Sequence, residues 1–235
     1  MDRTLLIDGV PVSEYELYYK GLPTIPTAEQ DIEQIEIKGR DGYLTKKYGF
    51  KNISYSIELY FYENVSFRKA FRLVKPFLFN AETISFADDD VVYYKVKSVQ
   101  IDTAETNIYK FGMFTVVFDL DPFMYELDNE PITVLSRKII TNDGHKTLPI
   151  ITAQVAGTGK IYVNDQEITI KNVNGSITID SEMQNAYRKS PAGLIAENMN
   201  KHMIGHFPVL EHGDNVIEFD GDIEKLEVIL NKRWR

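Results

Sequence analysis

Apolar and polar positions alternate most regularly at Ile53-x-Tyr55-x-Ile57-x-Leu59-x-Phe61, five apolar residues at period two. Ser54, Ser56, Glu58, Tyr60 and Tyr62 fall on the other side, so the spacing predicts a strand with one buried and one partly wet face. The period then changes. Phe67, Phe71, Val74 and Leu78 follow the spacing of a helix stripe, while Arg68, Lys69, Arg72 and Lys75 take the opposite side. That predicts an amphipathic helix from Ser66, its N-cap, to Lys75, where Pro76 should stop or kink it.

Before these elements, Leu5-Leu6-Ile7, Asp8-Gly9 and Val10-Pro11-Val12 predict a strand, a turn and a strand. A segment at Ile32–Ile37 follows, broken by Gly39-Arg40-Asp41-Gly42. After the helix, Thr83–Phe86, Val91–Ile101 and Tyr109–Leu120 are strand-like, and the last is apolar on both faces. The remaining chain predicts short strands with turns between them: Ile151–Val155, Ile161–Val163, Ile168–Ile170, Ile177–Ile179, Val216–Phe219 and Leu226–Leu230. Turns are expected at Gly157-Thr158-Gly159, Asn164-Asp165, Asn174-Gly175 and Gly221-Asp222. Such spacing indicates an antiparallel sandwich or jelly roll. Residues 181–206 interrupt it as a polar excursion, with a short helix expected after Ser190-Pro191.

Aromatic residues divide the chain. Of 28 Phe, Tyr and Trp, 23 lie in residues 1–125, whereas charge is spread evenly. A change in core chemistry without a change in charge predicts two separately packed domains, 1–128 and 144–235, joined by a linker at 129–143. With 43% hydrophobic and 26% charged residues, disorder, collagen and coiled-coil rods are excluded. No uncharged stretch approaches the roughly 18–20 residues of a membrane span, and the N-terminus lacks a signal-peptide layout, so no membrane insertion is expected. The chain has no cysteine, which removes disulfides and thiolate chemistry. A net charge of −9 opposes the wrapping of nucleic acid, which requires a surplus of Lys and Arg.

Candidate chemistry is sparse. His202 and His206 have the spacing of metal ligands on a helix, with His212 nearby, but Gly205 and Pro208 spoil the helix. Asp88-Asp89-Asp90 lacks the alternating ligands of a hard-cation loop and is expected to be a solvated turn. Gly157-Thr158-Gly159-Lys160 lacks the rest of a phosphate loop and is expected to be a hairpin turn. No Gly-x-Ser-x-Gly elbow occurs. The residues therefore propose no catalyst, no metal and no cofactor, leaving an assembly protein or a binding module.

Two sets of residues carry a family resemblance. Ile35-Glu36-Ile37-Lys38-Gly39-Arg40-Asp41-Gly42 precedes a strand and a lone helix, and this half closes on Phe118-Asp119-Leu120-Asp121-Pro122-Phe123. Ile177-Thr178-Ile179-Asp180-Ser181 precedes an irregular stretch, then Phe207-Pro208-Val209-Leu210-x-x-Gly213-x-Asn215-x-Ile217, ending near Arg233-Trp234. In this order, over essentially the whole chain, they resemble the distal tail proteins of long, non-contractile-tailed bacteriophages, particularly those of Gram-positive hosts. The resemblance implies a mainly β fold: an N-terminal β-sandwich or split-barrel ring domain with one α-helix, and a C-terminal galectin-like β-sandwich, a jelly roll. It further implies a non-enzymatic homo-hexamer at the virion tail tip, first domains around a channel and second domains outward. Implied partners are the tail-tube protein, the tail-associated (tip) protein and a receptor-binding protein, the last expected at the Ser181–His206 excursion. DNA would pass through without specific binding, because six copies would carry six times −9, or −54. The competing expectation is a module that binds cell-wall carbohydrate. Tyr162 and Tyr187 are its candidate stacking residues, and Trp234 is expected to anchor the last strand or to face a neighbour.

Overall fold

The computed structural model describes residues 4–19, 24–61, 66–102, 105–106 and 112–235. The chain divides into two compact units, Met1–Leu127 with Arg235, and Asp128–Trp234. The architecture is mainly β, as expected, with one α-helix among the described residues.

In the first unit, β1 (Leu5–Ile7) and β2 (Val10–Pro11) flank a turn at Asp8-Gly9, both at positive φ, 50° and 75°. A 3-10 helix at Val12–Tyr15 leads to β3 (Leu17–Tyr19). Next come β4 (Gln30–Glu36), β5 (Tyr43–Phe50), β6 (Ile53–Phe61) and α1 (Phe67–Phe79). The unit closes with β7 (Thr83–Phe86), β8 (Asp89–Ile101), β9 (Glu105–Thr106) and β10 (Gly112–Glu126). The main sheet runs β2-β1-β7-β8-β10-β6-β3, with β9 also on β10, while β4 and β5 form a separate two-stranded sheet.

Period-two alternation does what it predicts on β6. Ile53, Tyr55, Ile57, Leu59 and Phe61 are buried with Phe114, Val116, Phe118 and Leu120 of β10 in one core. Registers Val116↔Ile57 and Phe118↔Tyr55 place them side by side on one face. Burying such side chains contributes about 1.5–3 kcal/mol each, and is the main force holding the unit together. The second face of β10 is less covered than its apolar pattern suggests. Met113, Thr115 and Val117 are exposed or half-buried, opposite Tyr60, Glu58 and Ser56. Tyr62, Tyr109 and Phe111, part of the same patterns, lie outside the described residues.

Helix α1 buries Val74 and Leu78, with Phe67 and Phe71 packed against the same core. Ser66 sits at the N-cap position without a side-chain capping bond, and its carbonyl accepts from Lys69 N and Ala70 N. Of the stop or kink expected at Lys75, the stop is corrected: the helix continues through Pro76 to Phe79. Proline removes one N–H, but the turn beyond it inserts Leu78 fully into the core, and Asn80 N closes on Pro76 O at 3.1 Å. Packing there outweighs the lost hydrogen bond.

The second unit contains β11 (Ile132–Val134), β12 (Arg137–Asn142), β13 (Ile150–Val163), β14 (Gln166–Asp180) and β15 (Asn185–Lys189). It ends with β16 (Ile195–Asn198), β17 (Met203–Gly205) and β18 (Gly213–Ile229). Three strands are far longer than their sequence pattern suggests. The six short strands expected from Ile151 to Leu230 are the halves of β13, β14 and β18, each of which crosses from one layer of a sandwich to the other. One layer holds β11, the end of β18, the start of β13, the end of β14, then β15 and β16. The other holds β12, the start of β18, the end of β13, the start of β14, and β17. Between them lies one core with Ile151, Ile161, Ile168, Ile179, Ile217 and Leu226.

The bend is built where turns were expected. Gly157-Thr158-Gly159, Asn174-Gly175 and Gly221-Asp222 are not hairpin turns but the corner of continuous strands, where the β13–β14 and β13–β18 registers shift. Gly221 has φ of 75°, and a Cβ there would sit 2.6 Å from Thr158 O. A Cβ on Gly159 would sit 2.7 Å from Asp220 O. Thr158 N donates to Asp222 Oδ2 at 2.9 Å, so the corner satisfies its backbone while the strands bend. Asn164-Asp165 does form a hairpin turn, with Asn164 at φ 53° and Val163 paired to Gln166.

Two further expectations are corrected. Residues 129–143, expected as a linker, supply β11 and β12, both paired to β18; buried Val134 and Ile140 tie them into the core. Residues 181–206 are not an irregular excursion but β15, β16, a 3-10 helix at Asn200–His202 and β17. No helix follows Ser190-Pro191; a turn closes there through Ser190 N donating to Leu194 O at 2.7 Å.

Candidate assembly surface

The residues that could carry chemistry are dispersed. Among the described residues, no group of three or more His, Asp and Glu could hold a metal ion. His202 closes the 3-10 helix with Nδ1 2.8 Å from Lys171 O, and His212 Nδ1 lies 2.9 Å from Gly144 O. Met203–Gly205 between His202 and His206 is a strand, which destroys the helical spacing. Asp88 lies in the tight turn joining β7 to β8, and Asp89 and Asp90 open β8, all exposed.

The candidate sugar-stacking residues separate. Tyr187 is only 4% exposed, and its hydroxyl donates to Asp180 Oδ2 at 3.4 Å, so its ring is unavailable to a ligand. Burial, then the Asp180 charge, pushes the Tyr187 phenol up. Tyr162 is half-buried and donates to Asp220 Oδ2 at 3.1 Å beside the Lys160–Glu167 ion pair at 2.8 Å. Trp234 is half-buried.

The loop carrying Phe207-Pro208-Val209-Leu210 is locked by side-chain amides, of which Asn142 and Asn215 are buried and Gln166 half-buried. Asn215 Oδ1 accepts from Glu211 N and Asn164 Nδ2, both at 2.9 Å, while Asn215 Nδ2 donates to Glu211 O and Gly213 O. Gln166 exchanges two bonds of 3.0 Å with the Val209 backbone. Asn142 Nδ2 donates to His145 O and Glu211 O, and Thr147 pairs with Leu210 in both directions. The polar pattern of this loop is thus a fastening of the fold, with every amide engaged by backbone.

In the first unit, Ile25, Pro26, Phe86, Val92, Tyr94 and Met124 line a cavity of about 150 Å³. Its hydroxyl is engaged, since Tyr94 Oη donates to Pro26 O at 3.2 Å. Burial, with Asp89 adding to it, pushes the Tyr94 phenol up to about 12; neighbouring Tyr55 rises to about 12 by burial, helped by Tyr19 and Tyr94. These shifts disfavour ionisation and supply no general base.

The β4–β5 hairpin is the outlying feature. Ile32, Ile35, Ile37, Tyr43, Leu44 and Tyr48 are 39–57% exposed, and no residue from Gln30 to Gly49 is buried. Ile35 and Leu44 pair across one face, Glu36 and Tyr43 across the other. The Tyr48 hydroxyl donates to the Glu33 carboxylate, and Lys46 Nζ lies 4.7 Å over the Tyr48 ring. The sequence marks Ile32–Ile37 only as a segment broken by glycines and gives no periodic sign of β5, because Tyr43–Phe50 has no regular apolar alternation. The signal was the paired glycines, Gly39 at φ 86° and Gly42 at φ 72°, flanking a polar turn. A lone two-stranded hairpin is marginal in water, and long exposed edges that carry apolar residues invite pairing.

Known proteins were compared with the chain. No family model matches it, and no curated protein does. Solved structures do. The SPP1 Dit (gp 19.1) protein, described as a paradigm of the hub adsorption apparatus in phages infecting Gram-positive hosts, matches over 100% of both chains at 13% identity and a TM-score of 0.70. A chain of the phage P2 baseplate in its activated conformation with Ca matches over 100% of this chain and 99% of that one, at 12% identity and a TM-score of 0.55. The same baseplate with Sr gives 11% identity and a TM-score of 0.55. The chain therefore has the fold of these phage hub and baseplate components.

Proposed function

We propose that this chain is a structural component of a phage tail tip, a distal tail protein that assembles into a hexameric ring. The observation that carries this reading is the end-to-end match with the SPP1 Dit protein, in which neither chain leaves a part uncovered. The ring joins the tail-tube protein to the tail-associated protein and to receptor-binding proteins, and DNA leaves through its channel. Its work is mechanical, without turnover. Two features of the chain support this. The β4–β5 hairpin exposes apolar side chains that association would cover. The net charge of −9 per copy disfavours adhesion of passing DNA.

Light scattering on the eluting protein and negative-stain imaging test the reading. The expected result is a six-fold ring of six times 27.0 kDa, about 162 kDa. A strict monomer at high concentration that also fails to associate with tail-tube and tip proteins would refute it.

A further inference from the structure

The two edges of the β4–β5 hairpin carry opposite charge. From Glu29 to Ile37 the chain has Glu29, Asp31, Glu33 and Glu36 and no Lys or Arg. From Tyr43 to Ser54 it has Lys46, Lys47 and Lys51 and no acid. Among the described residues neither strand pairs with a third, so each presents an outer row of backbone N–H and C=O groups. We propose that this hairpin is a strand-pairing element between copies of the chain, in which the β4 edge of one copy adds to the β5 edge of the next.

Charge selects this arrangement from the three available. Pairing β4 with β4 sets carboxylates against carboxylates, and pairing β5 with β5 sets lysines against lysines. Only β4 against β5 sets opposite charges across the new ladder, and like charges directly opposite each other destabilise a sheet. The two symmetric pairings are thus rejected by repulsion, and the asymmetric one is retained. The consequence is topological. A symmetric contact ends at a dimer, whereas a head-to-tail contact repeats, and closes into a ring when the rotation from copy to copy completes a full turn. The hairpin therefore encodes the polarity of the assembly, which rests on the ring reading above. Inside the hairpin Glu33 faces Lys46 and accepts from Tyr48, and Lys51 and Glu29 are 3.9 Å apart, but all four charged side chains are largely exposed; Lys47 faces Ile32 rather than an acid. Association also covers Ile32, Ile35, Leu44 and Tyr48, which nothing among the described residues buries.

Light scattering on the full chain tests the inference with charge-reversed edges. Counted over the strands themselves, Asp31→Lys/Glu33→Lys takes β4 from −3 to +1, so that both strands are basic, and Lys46→Glu/Lys47→Glu takes β5 from +2 to −2, so that both are acidic. Each alone should assemble at least tenfold more weakly than the parent, with circular dichroism unchanged. Mixing the two at equal concentration should restore assembly, because every β4 edge then meets an oppositely charged β5 edge. The fourfold variant, with the charges exchanged within one chain, should also assemble. Single-edge variants that assemble like the parent would overturn the inference and leave the ring reading standing. Failure of both the mixture and the fourfold variant to assemble would likewise overturn it. A parent chain that never assembles, alone or with tail partners, would overturn both.

Discussion

Asn215 is fully buried and makes four hydrogen bonds of 2.9 Å, three of them to the backbone of the 211–213 loop. Asn215→Ala deletes all four. Glu211 O keeps a second donor in Asn142 Nδ2, and Asn164 Oδ1 still accepts from Val216 N. Glu211 N and Gly213 O lose the partner they have on Asn215. At about 1–3 kcal/mol for each polar group stranded without a partner, with some recovery by water, the expected loss is about 2–4 kcal/mol. A unit of about 100 residues shifts its melting temperature by roughly 4 °C per kcal/mol, so the C-terminal unit should melt about 8–16 °C lower. Asn215→Asp adds a sign test. A carboxylate keeps the acceptors but faces Glu211 O and Gly213 O, so its folded pKa rises above the unfolded value of about 3.9. The folded state then binds the proton more tightly, and stability falls as pH rises through that folded value. Calorimetry of the full chain at pH 4 and pH 8 reads both effects. If Asn215→Ala melts within 2 °C of the parent, the amide network is not what fastens this loop.

Two further outcomes follow from the geometry. Gly221→Ala places a methyl against Thr158 O at a backbone conformation that penalises side chains, and should cost the C-terminal unit roughly 2 kcal/mol or more; a denaturant midpoint equal to the parent would show that the corner relaxes freely. Tyr55 and Tyr94 have folded pKa values raised to about 12, so the stability they contribute is intact below pH 10 and lost as pH climbs toward 12. Absorbance titration of tyrosinate should show the parent's last ionisations coinciding with unfolding of the N-terminal unit; Tyr55→Phe/Tyr94→Phe should move that alkaline midpoint upward, and an unmoved midpoint would disprove the linkage.

Local pattern alone determined a good deal. The alternation from Ile53 to Phe61 placed β6 and its buried face, because period two is a property of the extended backbone itself. The Phe67–Leu78 stripe placed α1 for the same kind of reason. Asp8-Gly9 and Asn164-Asp165 identified true turns, since positive φ is satisfied locally by those residues. The absence of cysteine settled that no disulfide or thiolate contributes. None of these inferences required knowing what lies across the core.

Tertiary structure decided the rest. Pro76 ends a helix in isolation but not when Leu78 has a core to fill. Glycine pairs in residues 144–235 look like turns, yet Gly159 and Gly221 serve close backbone approach between strands distant in sequence, and so join segments that appear separate. Residues 129–143 are polar enough for a linker, but Val134 and Ile140 find the core once β18 lies beside them. The hairpin's significance was hidden for a related reason: Tyr43–Phe50 has little alternation because neither of its faces is buried within the chain. Sequence records the preferences of each backbone segment, whereas pairing and burial depend on partners that only the folded chain brings together.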